Sequence, residues 1–197
     1  MKTFWNDRYS QTDYAYDTLP NEFLSEQLAL LQPDKLLLPC EGEGRNAVYA
    51  AAKGWQVVAF DQSEAGLEKC KRLAAAQHVE VHYQVADAGT FDYGLNQYDA
   101  IARIFTHFPP TLRHQVHHKC VQALKPGGIL IREAFAPEQL HYQSGGPEAV
   151  QLLYHTNMLE ADFAAMQQLT IAETLIRLQE GPYHQGTAAV MRLVGRK

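Results

Sequence analysis

The chain has 197 residues, of which 46% are hydrophobic and 20% are charged, and its formal net charge is −5. This composition is typical of a soluble globular protein, and the lack of a long basic run argues against a surface for nucleic acid or anionic membranes. No apolar stretch approaches the roughly 18 residues of a membrane-spanning helix, and the first residues lack an apolar signal core. Three widely spaced cysteines form neither a disulfide framework nor a zinc pattern. We therefore expect one cytoplasmic domain, residues 1–197, without a metal.

The N-terminal segment, residues 1–20, interleaves aromatic and acidic side chains. Trp5, Tyr9 and Tyr16 alternate with aspartates in a polar stretch of weak periodicity. Two interpretations stay open: an arm that packs on the domain, or a lid whose aromatic rings close over an active site and exclude water. Asn21 then predicts the cap of a leucine-rich helix that ends at Pro33.

A glycine turn follows the first predicted strand, Lys35–Leu38. Gly42 and Gly44 stand between this strand and a predicted helix that runs from Arg45 to Lys53. A strand, a tight glycine turn and a helix form the first half of a nucleotide-binding unit, because the backbone must bend sharply where a ligand approaches. The sequence therefore predicts a nucleotide-type cofactor at this turn.

The charge of the turn distinguishes between two cofactors. Gly42, Gly44 and Ala47 fit the fingerprint of a dinucleotide site, so NAD is one candidate. Glu41 and Glu43, however, would face its pyrophosphate at a helix N-terminus, which should attract anions. S-adenosylmethionine has no phosphate and carries a sulfonium and an ammonium group, which carboxylates favour. The turn therefore favours S-adenosylmethionine.

The next two strands supply further acidic residues. Asp61 ends the strand Gln56–Phe60, where an acidic residue can bind ribose hydroxyls, although it could equally cap the next helix. Ser63 predicts the cap of that helix, which runs to Ala74. Asp87 follows the strand Glu80–Gln84 and could reach the adenine amino group, unless it is a solvated loop residue.

A fourth strand, Tyr98–Phe105, leads into a loop that contains His107, and a helix then runs to Leu124. His107 is the best general-base candidate because a histidine titrates near neutral pH; the alternative is a helix-entry histidine bonded to the backbone. After the fifth strand, Ile129–Glu133, residues 134–166 predict a substrate-side insertion, mainly helical from Pro147 to Met166.

The C-terminal part predicts two strands, Thr170–Leu178 and Thr187–Val194, joined as a hairpin. His184 lies in the connection; it could border the pocket from the far edge, but a surface position is expected. The alternation of strands and helices before it predicts an α/β fold: a Rossmann-like, doubly wound, mostly parallel seven-stranded sheet with a C-terminal antiparallel hairpin.

These motifs together resemble the class I S-adenosylmethionine-dependent methyltransferases, most closely the tellurite-resistance and thiopurine methyltransferase-like branch. The resemblance rests on the Gly42–Asn46 turn, Asp61, the Leu124–Gly128 turn, the closing hairpin and the aromatic N-terminal segment. Leu38 and Cys40 stand where the family usually has an acidic residue and a glycine, and Glu41 is expected to replace the acidic function.

The resemblance implies methyl transfer from S-adenosylmethionine to a small acceptor, such as a thiol, a metalloid or another soft nucleophile, by a monomer or homodimer. A domain that binds S-adenosylmethionine without catalysis and an NAD-dependent oxidoreductase remain the alternatives. The predicted catalytic residues are His107 and Arg103, and the predicted substrate-binding residues are Trp5, Tyr9, Tyr16, His107 and Phe108. The predicted cofactor-binding residues are Glu41, Gly42, Glu43, Gly44, Asn46, Asp61, Gln62, Ala86, Asp87 and Arg103.

Overall fold

A seven-stranded sheet organises the chain in the computed structural model, which describes residues 2–197. The strand order is β3-β2-β1-β4-β5-β7-β6. Strands β1 to β5 are parallel, whereas β7 runs antiparallel to β5 and β6. The predicted fold class, with its closing hairpin, is thereby confirmed. The strands are β1 (Lys35–Pro39), β2 (Gln56–Asp61), β3 (His82–Val85), β4 (Tyr98–Ile104), β5 (Leu124–Phe135), β6 (Gln168–Gln179) and β7 (Gln185–Arg196).

Six α-helices are formed by residues 2–197, and none of them is long and apolar enough to cross a membrane. Asn21 and Ser63 cap the second and fourth, since their side-chain oxygens accept the amide protons of Leu24 (3.0 Å) and Gly66 (3.1 Å). Asp61 therefore does not cap the helix that follows it, which was the alternative role considered from the sequence. The helices are α1 (Lys2–Tyr9), α2 (Glu22–Ala29), α3 (Arg45–Ala52), α4 (Glu64–Ala76), α5 (Pro110–Ala123) and α6 (Thr156–Asp162).

Helices cover both faces of the sheet, and this explains the continuous apolar run of β1. Leu36 and Leu38 are buried in the core on one face, and Leu37 is buried in the core on the other. A strand in the middle of such a sheet has no solvent-facing side. The same arrangement places the carboxyl ends of β1, β2, β4 and β5 at one edge, where ligands bind in folds of this kind.

The segment after β5 is less helical than the sequence predicts. Short 3-10 turns form at Pro137–His141 and Val150–Leu152, and α6 has only seven residues. The prediction of a mainly helical Pro147–Met166 is therefore wrong. Long-range contacts outweigh helix propensity here, because Tyr154 is buried and its backbone nitrogen donates to the Phe135 carbonyl oxygen (3.0 Å).

Candidate active site

A cavity of about 460 Å³ opens at the carboxyl ends of the parallel strands. Its volume lies in the range that holds a small-molecule ligand, roughly 300–1,000 Å³. Most of the residues predicted from the sequence line it: Trp5, Tyr9, Tyr16, Glu41, Gly42, Glu43, Asn46, Asp61, Gln62, Ala86, Asp87, His107 and Phe108. Gly44 and Arg103 do not line it.

The two glycines of the turn have different roles. Both have positive φ angles, +62° for Gly42 and +88° for Gly44, which favour glycine. A Cβ on Gly44 would lie 2.2 Å from the Sγ of Cys70 in α4, so Gly44 allows two helices to approach closely. A Cβ on Gly42 would lie 2.7 Å from the Tyr9 hydroxyl, on the cavity side. Gly42 therefore shapes the ligand cavity, and Gly44 shapes the helix packing behind it.

The carboxylate of Glu41 occupies the N-terminus of α3. Its Oε1 accepts the backbone amide proton of Ala47 at 2.7 Å, and its Oε2 lies 3.4 Å from the side-chain nitrogen of Asn46. In dinucleotide sites a pyrophosphate takes this position. Here the protein's own anion fills it, which disfavours NAD. Burial raises the pKa of Glu41 to about 7, so the carboxyl needs a cationic neighbour to be fully ionised at neutral pH.

The carboxylate of Glu43 is used inside the protein. It forms an ion pair with Lys69 (2.7 Å), and its second oxygen accepts the amide proton of Ala15 (2.8 Å). Both side chains of the ion pair are buried. Glu43 therefore fastens the N-terminal arm to the glycine turn, and its contact with the cofactor stays a prediction.

Asp61 is held at the edge of the cavity by two backbone amides. Its Oδ1 accepts from Ser63 (2.9 Å) and its Oδ2 from Gly42 (3.3 Å). Burial raises the pKa of Asp61 to about 6, and these hydrogen bonds oppose that rise. Asp87 is exposed at the cavity edge, where its Oδ1 accepts the amide proton of Gly89 (2.8 Å). Asp61 thus ends β2 and Asp87 lies in the loop after the adjacent strand β3, as predicted, and both border the cavity.

His107 lines the cavity, but the backbone engages both of its ring nitrogens. Nδ1 lies 2.7 Å from the Leu152 carbonyl oxygen, so it carries the proton, and Nε2 accepts from the Phe135 amide at 3.4 Å. Burial lowers the pKa of His107 to about 3. This geometry matches the alternative of a backbone-bonded histidine, and a group of such low basicity is poorly suited to general-base catalysis at neutral pH. Its catalytic role stays a prediction.

Arg103 lies behind the cavity wall and does not reach the ligand space. Its side chain is 0% exposed, and its guanidinium carbon lies 5.0 Å from the ring centroid of Phe108. Strand alternation explains this position, because Arg103 shares a sheet face with Ile101, which belongs to the core beneath α5.

The N-terminal arm, residues 2–20, is packed on the domain and also forms one wall of the cavity. Arg45 is its main anchor, because this guanidinium donates to the carbonyl oxygens of Tyr16 (3.0 Å) and Leu19 (3.3 Å). The same group forms an ion pair with Glu180 in the C-terminal hairpin (2.8 Å). The rings of Trp5 and Tyr9 stack at 5.4 Å, and both face the cavity. The arm and lid interpretations are therefore both compatible with this one conformation.

Further residues that were not assigned to the site from the sequence also line the cavity. For His184 the sequence favoured the surface over the far edge of the pocket, but the side chain is buried and lines the cavity, with Nδ1 3.1 Å from the Glu180 carboxylate. Phe105 directly follows β4 and Phe135 ends β5, so the strand-end rule could have identified them. Phe105 has a φ of +49°, a strained value for a bulky residue that is common at functional sites. Arg8 lies among aromatic rings, 4.1 Å from the ring centroid of Tyr183, and had no sequence signal.

Known proteins match part of this chain in sequence. Residues 38–128 match the family described as the methyltransferase domain. Carboxy-S-adenosyl-L-methionine synthase of Yersinia pestis (strain Pestoides F) is 30% identical over 82 residues, which are 41% of this chain and 31% of that protein. The match thus spans less than a third of the length of the curated relatives.

Solved structures are similar over the whole chain. One, reported for the conversion of a disulfide bond into a thioacetal group during echinomycin biosynthesis, has a TM-score of 0.79 at 18% identity and covers 100% of this chain and 93% of that one. TehB from Haemophilus influenzae has a TM-score of 0.73 at 16% identity, with 100% of this chain and 66% of that chain covered. At sequence identities this low, the similarity shows a shared fold and does not extend to function.

Proposed function

We propose that this chain transfers a methyl group from S-adenosylmethionine to a small acceptor with a soft nucleophile, such as a thiol or a metalloid anion. The match of residues 38–128 to the family described as the methyltransferase domain supports this proposal. The observation that carries the proposal is a cavity lined by aromatic rings in which the one histidine predicted as a base is already bonded to the backbone.

The residues at the strand ends fit this cofactor. When bound, S-adenosylmethionine supplies a methyl group that its sulfonium has already activated. Glu41 and Asp61 offer carboxylate oxygens to a ligand with an ammonium group and ribose hydroxyls, and Asp87 lies further along the same edge. Asn46 and Gln62 add amide groups to the lining. The carboxylate of Glu41 occupies the N-terminus of α3, which fits a cofactor that has no phosphate to bind there.

The acceptor side of the cavity favours alignment over acid–base chemistry. Trp5, Tyr9 and Tyr16 cover it from the arm, and Phe108 lines it from the loop after β4. Aromatic faces attract a sulfonium by roughly 0.5–2 kcal/mol, and a closed apolar wall excludes water. Alignment of two reactants can supply about 7–11 kcal/mol of barrier reduction. A thiolate or an oxyanion needs no proton removed, so a cavity whose predicted general base, His107, is engaged by the backbone suits such an acceptor.

Two further points support a soft acceptor. The sequence resembles the tellurite-resistance and thiopurine methyltransferase-like branch, and TehB is among the similar structures. Another similar structure concerns the conversion of a disulfide bond into a thioacetal, which is a reaction at sulfur. Both are arguments by analogy of fold. They select the first compounds to test.

The direct test is a methyl-transfer assay with S-adenosylmethionine labelled in the methyl group. Aromatic thiols, alkyl thiols, selenite and tellurite form the acceptor panel, and a catechol and a primary amine represent hard acceptors. We expect labelled product from at least one soft acceptor, much less with Asp61→Asn, and unchanged turnover with the exposed control Asp34→Asn. Tight cofactor binding without transfer to any acceptor would instead indicate a non-catalytic binding domain.

A further inference from the structure

Two arginines lie side by side in the interior of the sheet. Arg103 of β4 and Arg132 of β5 are register partners, and both are 0% exposed. The guanidinium carbon of Arg103 lies 5.0 Å from the ring centroid of Phe108, and that of Arg132 lies 3.8 Å from the ring centroid of Tyr154. Both rings belong to the same core cluster. The two cations therefore share one buried compartment beneath the cavity.

Most of their hydrogen-bond donors lack a partner within the described chain. Among residues 2–197, all three guanidinium nitrogens of Arg103 and two of Arg132, Nε and Nη1, have no hydrogen-bond partner. The remaining nitrogen of Arg132 donates to the Thr106 carbonyl oxygen at 2.9 Å. Buried polar groups are nearly always bonded, so five unpartnered donors in one place require an explanation.

No carboxylate of the described residues neutralises the pair. None of the ion pairs formed by residues 2–197 includes Arg103 or Arg132. Asp162 of α6 pairs instead with Arg113 (2.8 Å) and His117 (2.7 Å). Glu133, next to Arg132 in the chain, pairs with Arg192 (2.6 Å). The compartment thus holds two positive charges that no described side chain balances.

Burial of such charges without compensation is costly. Burial and the neighbouring Arg103 lower the pKa of Arg132 to about 10, which still leaves it protonated at neutral pH. An isolated buried ion costs several kcal/mol, and an anion that accepts hydrogen bonds from both guanidinium groups would offset this cost. Planar guanidinium groups match the oxygens of carboxylates and oxyanions especially well.

We propose that Arg103 and Arg132 form a binding site for a small anion, a carboxylate or an inorganic oxyanion, directly beneath the floor of the cavity. Thr106 and Phe108, which contact the two arginines, also line the cavity, so the site adjoins the acceptor. The anion is either a group of the acceptor or a free inorganic ion. Only the first source rests on the proposed methyl transfer.

Anion-dependent melting of the full-length protein tests the site. The protein is dialysed into sodium gluconate, whose anion is much larger than formate or nitrate, and the salt is then replaced by formate, nitrate or phosphate at constant ionic strength. We expect at least one of these anions to raise the melting temperature by about 5 °C at saturation. Arg103→Met and Arg132→Met should lose most of this rise, and Arg177→Met, at an exposed position of β6, should keep it.

A second measurement is needed if the anion stays bound during dialysis or if a variant does not fold. Ion chromatography of the denatured wild-type protein should then detect about one equivalent of anion, and Arg103→Lys, which keeps the charge but loses the planar fork, should hold less. The proposal is overturned if no anion shifts the melting temperature and none is retained. It is equally overturned if Arg103→Met and Arg132→Met respond as the wild type does.

The source of the anion follows from kinetics once an acceptor is known. Added nitrate or formate that raises KM for the acceptor at unchanged kcat assigns the site to the acceptor's own anionic group. An unchanged KM assigns it to a resident inorganic ion, and both results support an anion site. A failure of the anion site can be distinguished from a failure of the proposed methyl transfer, because the melting and chromatography experiments need neither cofactor nor turnover.

Discussion

Glu41 links cofactor binding to pH at the scale of single residues. Its pKa of about 7 means that the protein without ligand is partly protonated at this site near neutral pH. A cationic ligand favours the carboxylate, so binding should release a proton. We predict that the affinity for S-adenosylmethionine falls as the pH decreases from 8 to 6, approaching tenfold per pH unit below pH 7.

Calorimetry in two buffers of different ionisation enthalpy measures this proton release directly. Glu41→Gln should bind more weakly at pH 8 and lose the pH dependence above pH 6.5, since Asp61, with a pKa of about 6, titrates lower. Glu22→Gln, at an exposed position in the first turn of α2, is the control and should behave as the wild type. Equal affinity at pH 6 and pH 8 without proton release would refute the assignment of Glu41.

Gly44 and Gly127 form a matched pair for testing helix packing. Both have positive φ angles, +88° and +81°, but a Cβ on Gly44 meets Cys70, whereas a Cβ on Gly127 meets nothing within 4 Å. Gly127→Ala should therefore lower the free energy of unfolding only by the backbone cost, about 1–2 kcal/mol. Gly44→Ala adds overpacking and should cost about 3 kcal/mol or more. Chemical denaturation compares them; equal losses would contradict the packing role.

At the scale of elements, Glu180 connects the C-terminal hairpin to the arm. Its carboxylate pairs with Arg45 (2.8 Å) and His184 (3.1 Å) and accepts from the Asn21 side-chain nitrogen (3.1 Å). Burial alone would raise the pKa of Glu180, but the hydrogen bond from His184 and the charge of Arg45 lower it to about 2. Glu180→Gln should lower the free energy of unfolding by about 2–4 kcal/mol at pH 7.

The same substitution should loosen the arm, and hydrogen exchange can measure this. Amides of residues 10–21 should exchange faster in Glu180→Gln, whereas Glu173→Gln, at an exposed position of the preceding strand β6, should leave them unchanged. Because the folded pKa lies below the ordinary value of 4.5, the carboxylate stabilises the fold above pH 4.5 and this stabilisation is lost as the pH falls towards 2. A stability difference that stays constant between pH 5 and pH 2 would contradict the ion pair.

At the scale of the whole molecule, local patterns predict the sheet, but long-range contacts decide the site. The apolar runs of β1 and β2 and the glycine turn are local signals, and Glu41 and Asp61, which these signals indicated, both line the cavity. The burial of His184 depends on Glu180 and Arg45, which come from distant parts of the chain. No periodicity reveals such a contact.

The acidic residues of the turn also show that sequence patterns do not reveal which contacts a side chain makes. Glu41 and Glu43 look equivalent in the sequence, yet one accepts from the N-terminus of α3 and the other pairs with Lys69. Arg103 likewise ends a strand at the predicted edge, but its side chain enters the core on the α5 side. Sequence reasoning finds which strand ends matter, and only the fold shows which side chains are already engaged.

One measurement tests the central claim most directly: calorimetric titration of the full-length protein with S-adenosylmethionine, S-adenosylhomocysteine and NAD at pH 8. The carboxylate at the N-terminus of α3 predicts binding of the first two in the micromolar range and no detectable heat with NAD. Binding of NAD without binding of S-adenosylmethionine would contradict the account, because Glu41 could not then occupy the position that a pyrophosphate requires.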